Sequence, residues 1–194
     1  ELASGLVGEG RMAEPTEIIE SITADLNKDL PLTNKKVLIT AGPTHESIDP
    51  VRFIANRSSG KMGIALAIEA ANNGALVNLI LGPTHLECNH ANITVYKVVT
   101  ASQMHEHVNA HFPTTEIGIF AGAVADYKPV IVAKNKIKKS ASNFSISLEK
   151  TVDILAEMGN KKNDKQFIVG FALETDNEVE NAKDKLKRKN LDMI

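Results

Sequence analysis

Tryptophan is absent and tyrosine occurs only twice, so any core built from this chain has to be aliphatic. The same shortage excludes the row of aromatic platforms on which single-stranded nucleic acid stacks. Cys88 is the single cysteine, which rules out an intrachain disulfide and a cysteine-based zinc cluster. Set in the polar stretch Leu86-Glu87-Cys88-Asn89-His90, it reads as an incidental thiol of a reducing compartment. No run approaches the roughly 18 apolar residues of a membrane helix, and no charged-then-apolar opening of the secretory kind occurs. A net charge of −2 gives no general attraction to nucleic acid or to an anionic membrane, so phosphate affinity must come from local groups. The expectation is a cytoplasmic protein with neither a nucleic-acid nor a membrane partner.

What is present is a globular composition, 43% hydrophobic and 24% charged, over 194 residues. That length accommodates one well-buried domain plus an appendage. Residues 1–34 differ in kind from the rest. They hold a glycine-rich opening, Ser4-Gly5-Leu6-Val7-Gly8-Glu9-Gly10, and then a predicted helix over 14–26. Ile18, Ile19, Ile22 and Leu26 share one face of that helix, and Pro15 suits its first turn. Leu30-Pro31-Leu32-Thr33-Asn34 reads as a linker.

From Lys35 the pattern becomes strand, loop, helix. Apolar runs at 37–39, 76–81, 95–99, 117–120 and 167–169 predict strands, and the alternation over 144–148 predicts a half-exposed one. Helices are predicted over 59–73, 102–111, 152–158 and 177–189, with a further strand beginning over 191–194. Apolar strands alternating with helices imply an α/β protein with a three-layer, Rossmann-like fold and a mostly parallel sheet. Ligands bind such sheets at the carboxyl ends of the strands, which directs attention to the loops after Ile39, Phe120 and Val169.

The first loop, residues 41–63, is far longer than the usual two to six residues between strand and helix. Its end, Asn56-Arg57-Ser58-Ser59-Gly60-Lys61-Met62-Gly63, gathers donors suited to a phosphorylated or carboxylate substrate. Ser58-Ser59-Gly60 supports two readings, an anion site at a helix N-terminus or a plain helix cap. Gly63 would allow tight helix packing. Gly42 is a lone glycine after the first strand, so neither a Walker A loop nor a dinucleotide fingerprint is present. The second loop carries Asp126, a residue type that holds ribose hydroxyls or a divalent cation. It continues to Lys134-Asn135-Lys136-Ile137-Lys138-Lys139, cations that could neutralise a transfer site or simply face solvent. The third cluster joins Gly170-Phe171-Ala172-Leu173-Glu174-Thr175-Asp176 to Lys185 and Lys189. Those two lysines lie four apart on one helical face, where two ammonium groups repel unless a polyphosphate sits between them.

Together the loops resemble one family, the synthetase part of bacterial phosphopantothenoylcysteine decarboxylase/synthetase. The matching motifs are Ile39-Thr40-Ala41-Gly42-Pro43-Thr44, Asp49-Pro50-Val51-Arg52, Asn56 through Gly63, Ala123-Val124-Ala125-Asp126-Tyr127, Lys136-Ile137-Lys138-Lys139 and Val169-Gly170-Phe171, in family order. The resemblance spans 35–194 and implies a phosphopantothenate–cysteine ligase of coenzyme A biosynthesis. The carboxylate of 4′-phosphopantothenate would attack the α-phosphate of CTP, and the amine of cysteine would then displace CMP. By resemblance Asn56 and Lys136 are the catalytic positions, and Asn56, Ser58, Ser59 and Gly60 hold the acyl substrate. Phe120, Ala121, Gly122, Asp126, Lys136, Val152, Asp153, Ile154, Leu155, Phe171, Lys185 and Lys189 are the nucleotide positions. Asp126 is the expected ligand for Mg2+. Thr151-Val152-Asp153 stands where the family usually has Asn-Pro-Asp. A homodimer through the ligase domain is implied as well.

Residues 5–15 resemble the end of the flavin-dependent decarboxylase fused ahead of the synthetase, so 1–34 are expected to be its tail plus linker. Ser4 stands where that family commonly has a catalytic cysteine, and neither decarboxylase activity nor bound FMN is expected. The family pattern also implies a further loop and strands beyond Ile194. Two other functions suit a fold of this class. One is a nicotinamide-dependent oxidoreductase, which calls for a glycine-rich turn after 37–39. The other is a regulator that binds a nucleotide without consuming it.

Overall fold

The computed structural model describes residues 12–26, 30–138, 144–173 and 176–194. Its centre is a five-stranded sheet of β1 (Lys36–Ala41), β4 (Leu76–Leu81), β5 (Ile93–Lys97), β6 (Ile117–Phe120) and β9 (Phe167–Val169). The strand order is β5-β4-β1-β6-β9 and every pairing is parallel. Val37 has Val77 on one side and Ile117 on the other, so β1 is central.

Successive side chains of a strand point to opposite faces, and β1 divides its own between two cores. Val37, Ile39 and Ala41 join Val77, Leu79 and Leu81 against Ile64, Ala67, Ala70 and Ala71 of α2 (Lys61–Asn72). Leu38 joins Ile80 and Ile168 on the other face, with Met104 and Val108 of α3 (Ala101–His111). Ile154 and Met158 of α4 (Ile154–Lys161) complete that second core. These are the three layers expected, and the core is mainly aliphatic, although Phe112 and Phe120 join its second cluster. The alanines of α2 let it lie close to the sheet. At Gly63 an added Cβ would come within 2.4 Å of the Ala41 Cβ, so the glycine sets the approach of α2 to β1.

Local signals account for the helix starts. Thr100 and Gln103 form a capping box on α3, the threonine Oγ1 accepting from the Gln103 amide at 3.2 Å. The Asp153 carboxylate caps α4 through the Ala156 amide at 3.0 Å. Gly60 takes the position before α2 with φ 77°, so neither Ser58 nor Ser59 is the cap residue. At the amino edge of the sheet Lys35 pairs with Glu116 at 2.8 Å, and Gly74 turns at φ 92°.

Four expectations need correction. The long first loop contains a short hairpin, β2 (Glu46–Ser47) against β3 (Phe53–Ile54), in pieces too brief to show periodicity. The strand expected at 95–99 lies at Ile93–Lys97, because pairing with β4 begins when the Val77 amide donates to the Asn92 carbonyl. The alternation over 144–148 marks no strand there. Instead β8 (Leu148–Lys150) pairs with an unforeseen β7 (Tyr127–Pro129), and Phe144 stays exposed because its apolar side meets no core. Residues 191–194 make one parallel bridge, Val169 with Met193, rather than a strand. The helix of the opening segment, α1 (Pro15–Leu26), forms where predicted but buries none of its residues among those described. The last helix is α5 (Glu178–Arg188).

Candidate functional site

An all-parallel sheet sends every strand's carboxyl end to one edge, and there the first two loops zip together. The Ala123 amide donates to the Gly42 carbonyl at 2.8 Å, and Pro43 and Ala123 form a parallel bridge. Threonine hydroxyls extend this beyond the sheet. Oγ1 of Thr40 accepts from the Gly122 amide at 3.1 Å, and Oγ1 of Thr44 accepts from the Ala125 amide at 3.0 Å. Both threonines are buried, so each loop amide would otherwise lack a partner. Thr151 attaches the third segment, its hydroxyl donating to the Ala125 carbonyl and its amide to the Asp126 carbonyl at 2.9 Å.

This stitching leaves a cavity of about 520 Å³ between the loops, a volume suited to a nucleotide-sized ligand. Ten of the twelve nucleotide positions expected from the sequence line it: Phe120, Gly122, Asp126, Val152, Asp153, Ile154, Leu155, Phe171, Lys185 and Lys189. Two do not. Ala121 is spent in the zipper, its amide donating to the Thr40 carbonyl at 3.1 Å, and Lys136 is exposed to one side. Six lining residues escaped the sequence reading: Thr40, Met104, Val124, Tyr127, Lys150 and Thr151. Thr40, Val124 and Tyr127 stood in the matching motifs without an assigned role, Thr151 showed as the departure from Asn-Pro-Asp, and Met104 and Lys150 gave no signal.

Lysine and carboxylate side chains from three segments line the cavity: Asp126, Lys150 with Asp153, and Lys185 with Lys189. The Lys189 ammonium, 13% exposed, pairs with Asp153 at 2.7 Å. Burial pushes the Asp153 carboxyl up, but Lys189 and the Ala156 amide outweigh it and leave the group below the usual carboxylate range. The Lys185 ammonium donates to the Phe171 carbonyl at 2.6 Å. Lys185 of α5 and Lys189 at its C-terminal cap thus have different acceptors even without a polyphosphate between them. Phe171 itself is partly exposed, which suits a surface for a planar group.

Asn56 stands beside the cavity rather than in it. Its Nδ2 donates to the Val124 carbonyl at 2.9 Å, which fixes the amide's orientation because a carbonyl can only accept. The side-chain oxygen and a second N–H remain for a substrate. Ser58 and Ser59 accept from the amides of Gly60 and Lys61 at 3.3 and 3.4 Å, and Oγ1 of Thr84 donates to the Ser59 carbonyl. Asp126 is exposed at the cavity rim. Among the described residues no group of three or more His, Cys, Asp or Glu side chains is arranged to hold a metal. A hard cation bound at Asp126 would therefore draw most of its oxygen ligands from phosphate and water, the habit of Mg2+. No helix among the described residues is long and apolar enough to cross a membrane.

Comparison with known proteins adds independent findings. Residues 32–194 match the DNA/pantothenate metabolism flavoprotein C-terminal domain. A cysteine/cysteine sulfinic acid decarboxylase from an unidentified prokaryote is 51% identical over 100% of this chain and 55% of its own length. The coenzyme A biosynthesis bifunctional protein CoaBC of Haemophilus influenzae is 46% identical over 99% of this chain and 48% of its own. The chain thus spans about half the length of the curated relatives it matches. Among solved structures, the C-terminal domain of a coenzyme A biosynthesis bifunctional protein CoaBC superposes with a TM-score of 0.74. It is 44% identical, and the match covers 85% of this chain and 78% of that one.

Proposed function

The chain belongs to the family of the DNA/pantothenate metabolism flavoprotein C-terminal domain, and from that membership we propose that it is the phosphopantothenate–cysteine ligase portion of a coenzyme A biosynthesis enzyme. The observation that carries the reading is the convergence of three separate loops on one cavity that is lined by Lys150, Lys185 and Lys189 and has Asn56 beside it.

The reaction has two parts. The carboxylate of 4′-phosphopantothenate forms a bond to the α-phosphorus of CTP while the bond to pyrophosphate breaks. The cysteine amine then attacks the acyl carbon, CMP departs with the acyl C–O bond electrons, and the nitrogen loses a proton. A carboxylate alone is a poor electrophile, and the nucleotide supplies a leaving group. In this reading Lys185 and Lys189 neutralise charge on the polyphosphate, and the Asn56 amide orients the acyl group beside the Val124 carbonyl. Lys136 serves the first part from the adjoining loop. Mg2+, held by Asp126 and phosphate oxygens, would supply further charge neutralisation. The assembly is proposed to be a homodimer acting in the cytoplasm, fused to a decarboxylase.

The test is incubation of the full-length protein with CTP, magnesium, 4′-phosphopantothenate and cysteine, followed by measurement of pyrophosphate and CMP. Stoichiometric release of both is expected, and parallel incubation with ATP is expected to give far less. Nucleotide binding without pyrophosphate release would sink the ligase reading and favour a regulator. The 51% identical relative motivates a second arm with cysteine alone, scored for carbon dioxide. Carbon dioxide release that needs no CTP would favour decarboxylation instead.

A further inference from the structure

The Asp49 side chain is fully removed from solvent although its neighbours Pro50, Val51 and Arg52 are exposed. It accepts from the Val51 and Arg52 amides at 2.8 and 2.9 Å, and from Nε and Nη2 of Arg52. Those four contacts are local and suffice to form the turn between β2 and β3. A further donor comes from much later in the chain, the Ile137 amide at 3.1 Å. Nη2 of Arg52 in turn donates to the Ile137 carbonyl at 2.7 Å. Both backbone polar groups of one residue are therefore gripped, the amide by an anion and the carbonyl by that anion's own counterion. Burial pushes the Asp49 carboxyl up, but the amides of Ile137 and Val51 together with Arg52 hold it well below the usual carboxylate range.

Four residues before Ile137, the Ala133 amide donates to the Ile48 carbonyl at 3.0 Å. The span 133–137 is tied at both ends to 48–52, and Lys134, Asn135 and Lys136 lie between the ties. The same hairpin continues through β3 toward Asn56, whose amide is held separately by the Val124 carbonyl, so what the Asp49 turn itself ties down is the base of the Lys136 loop. Asp49 is already paired with Arg52, so it leaves the neighbouring lysines unneutralised for a phosphate.

We propose that Asp49 is a positioning residue that, with Arg52, clamps Ile137 and so sets where Lys136 can reach. This rests on the ligase reading for the role of Lys136, whereas the clamp itself stands on geometry alone. Misplacing a reacting group by about 1 Å can cost on the order of 100-fold in rate, so a clamp of this kind affects rate more than affinity.

The experiment compares Asp49→Asn, Lys136→Gln and the double variant in the full-length protein. Asparagine keeps the shape but turns an N–H toward donors, removing the clamp. Pyrophosphate release with CTP and 4′-phosphopantothenate, without cysteine, reports the first half-reaction. Asp49→Asn is expected to slow it about tenfold or more at saturating CTP, with KM for CTP within about twofold. Added to Lys136→Gln it should cost less than about twofold more, since two residues acting as one unit are not additive. Conversion of preformed acyl-cytidylate by cysteine should be unaffected. Equal losses in both half-reactions, or multiplying losses in the double variant, would overturn the proposal. Amide hydrogen exchange separates this from the ligase reading. Exchange over 133–137 should rise in Asp49→Asn while β1 and β4 stay protected. Unchanged exchange there overturns the clamp, whereas a wild-type protein that releases no pyrophosphate overturns the ligase reading instead.

Discussion

Asp153 does two jobs that a pair of substitutions can separate. Its Oδ1 caps α4 through the Ala156 amide at 3.0 Å, and its carboxylate pairs with Lys189 at 2.7 Å. Asparagine retains the cap but loses the charge, while alanine loses both. The Asp153 side chain is 49% exposed, so the pair belongs with solvent-screened ion pairs of about 0.5–1 kcal/mol. A lost cap adds about 1 kcal/mol. Asp153→Asn should therefore cost about 0.5–1 kcal/mol and Asp153→Ala about 1.5–2 kcal/mol. For a chain of this length 1 kcal/mol moves Tm by about 2–4 °C, which gives losses of about 1–4 °C and 3–8 °C. Differential scanning calorimetry of the two variants, Lys189→Met and the combination Asp153→Asn/Lys189→Met measures both parts. The combination should be little worse than either single change, and the coupling should shrink at 0.5 M salt (roughly a fourfold shorter reach than at 0.03 M). Equal Tm losses for Asn and Ala would refute the capping role. A strictly additive cycle would refute the ion pair.

Gly63→Ala places a carbon 2.4 Å from the Ala41 Cβ, so α2 must retreat by about 1 Å from β1. A destabilisation of about 1–3 kcal/mol by urea unfolding is expected, and a neutral result would mean the helix approach is not set there. Thr44→Val keeps the shape and orphans the Ala125 amide, with an expected loss of about 1–3 kcal/mol and weaker CTP binding by calorimetry. Thr44→Ser should retain the binding, and parallel weakening in both variants counts against the hydroxyl. Acid should destabilise in two stages. Burial together with His107 lowers the pKa of His111, so the unfolded chain takes up that proton first and stability begins to fall below about pH 6.5. The lowered carboxyls of Asp49, Glu116, Asp153, Glu157 and Asp192 stabilise fully only above about pH 4.5, and their contribution is lost as pH falls through their folded values. Urea midpoints across pH in wild type and His111→Gln check this, since only the first stage should vanish in the variant. Finally, Asn56→Asp should let acyl-cytidylate accumulate and Lys136→Gln should cut its formation to a small residual rate, both scored by quenched-flow chromatography. Normal turnover by either variant removes that residue from its role.

The most legible parts of the fold were those dictated by burial. The runs at Leu76–Leu81, Ile117–Phe120 and Phe167–Val169 are strands to the residue, because each is a mostly apolar segment that the parallel sheet buries. Alternation over 144–148 misled because a period of two identifies a strand only when one side has something to cover, and Phe144 has nothing. Most of the cavity's charged lining could be anticipated from the rule that ligands gather at strand carboxyl ends. Its floor could not. Thr40, Thr44 and Thr151 act through hydroxyls aimed at amides and carbonyls 26 to 82 residues away, and although all three lie in or against matching motifs, no local pattern shows which partners their hydroxyls reach. Asp49 is the same case: its motif was visible, but its grip on Ile137 exists only once the hairpin and the late loop meet.

The parallel sheet also determines where this molecule can be handled. Every cavity-lining loop leaves one rim, while the opposite rim, with the Lys35–Glu116 pair and the turn at Gly74, contributes no lining residue. A fluorophore, a surface tether or an inserted affinity peptide at that far rim, for instance within Asn72-Asn73, would leave the cavity mouth clear. Immobilised protein attached there would expose the same face to solution in every copy, which turns the sheet's single polarity into a means of uniform orientation.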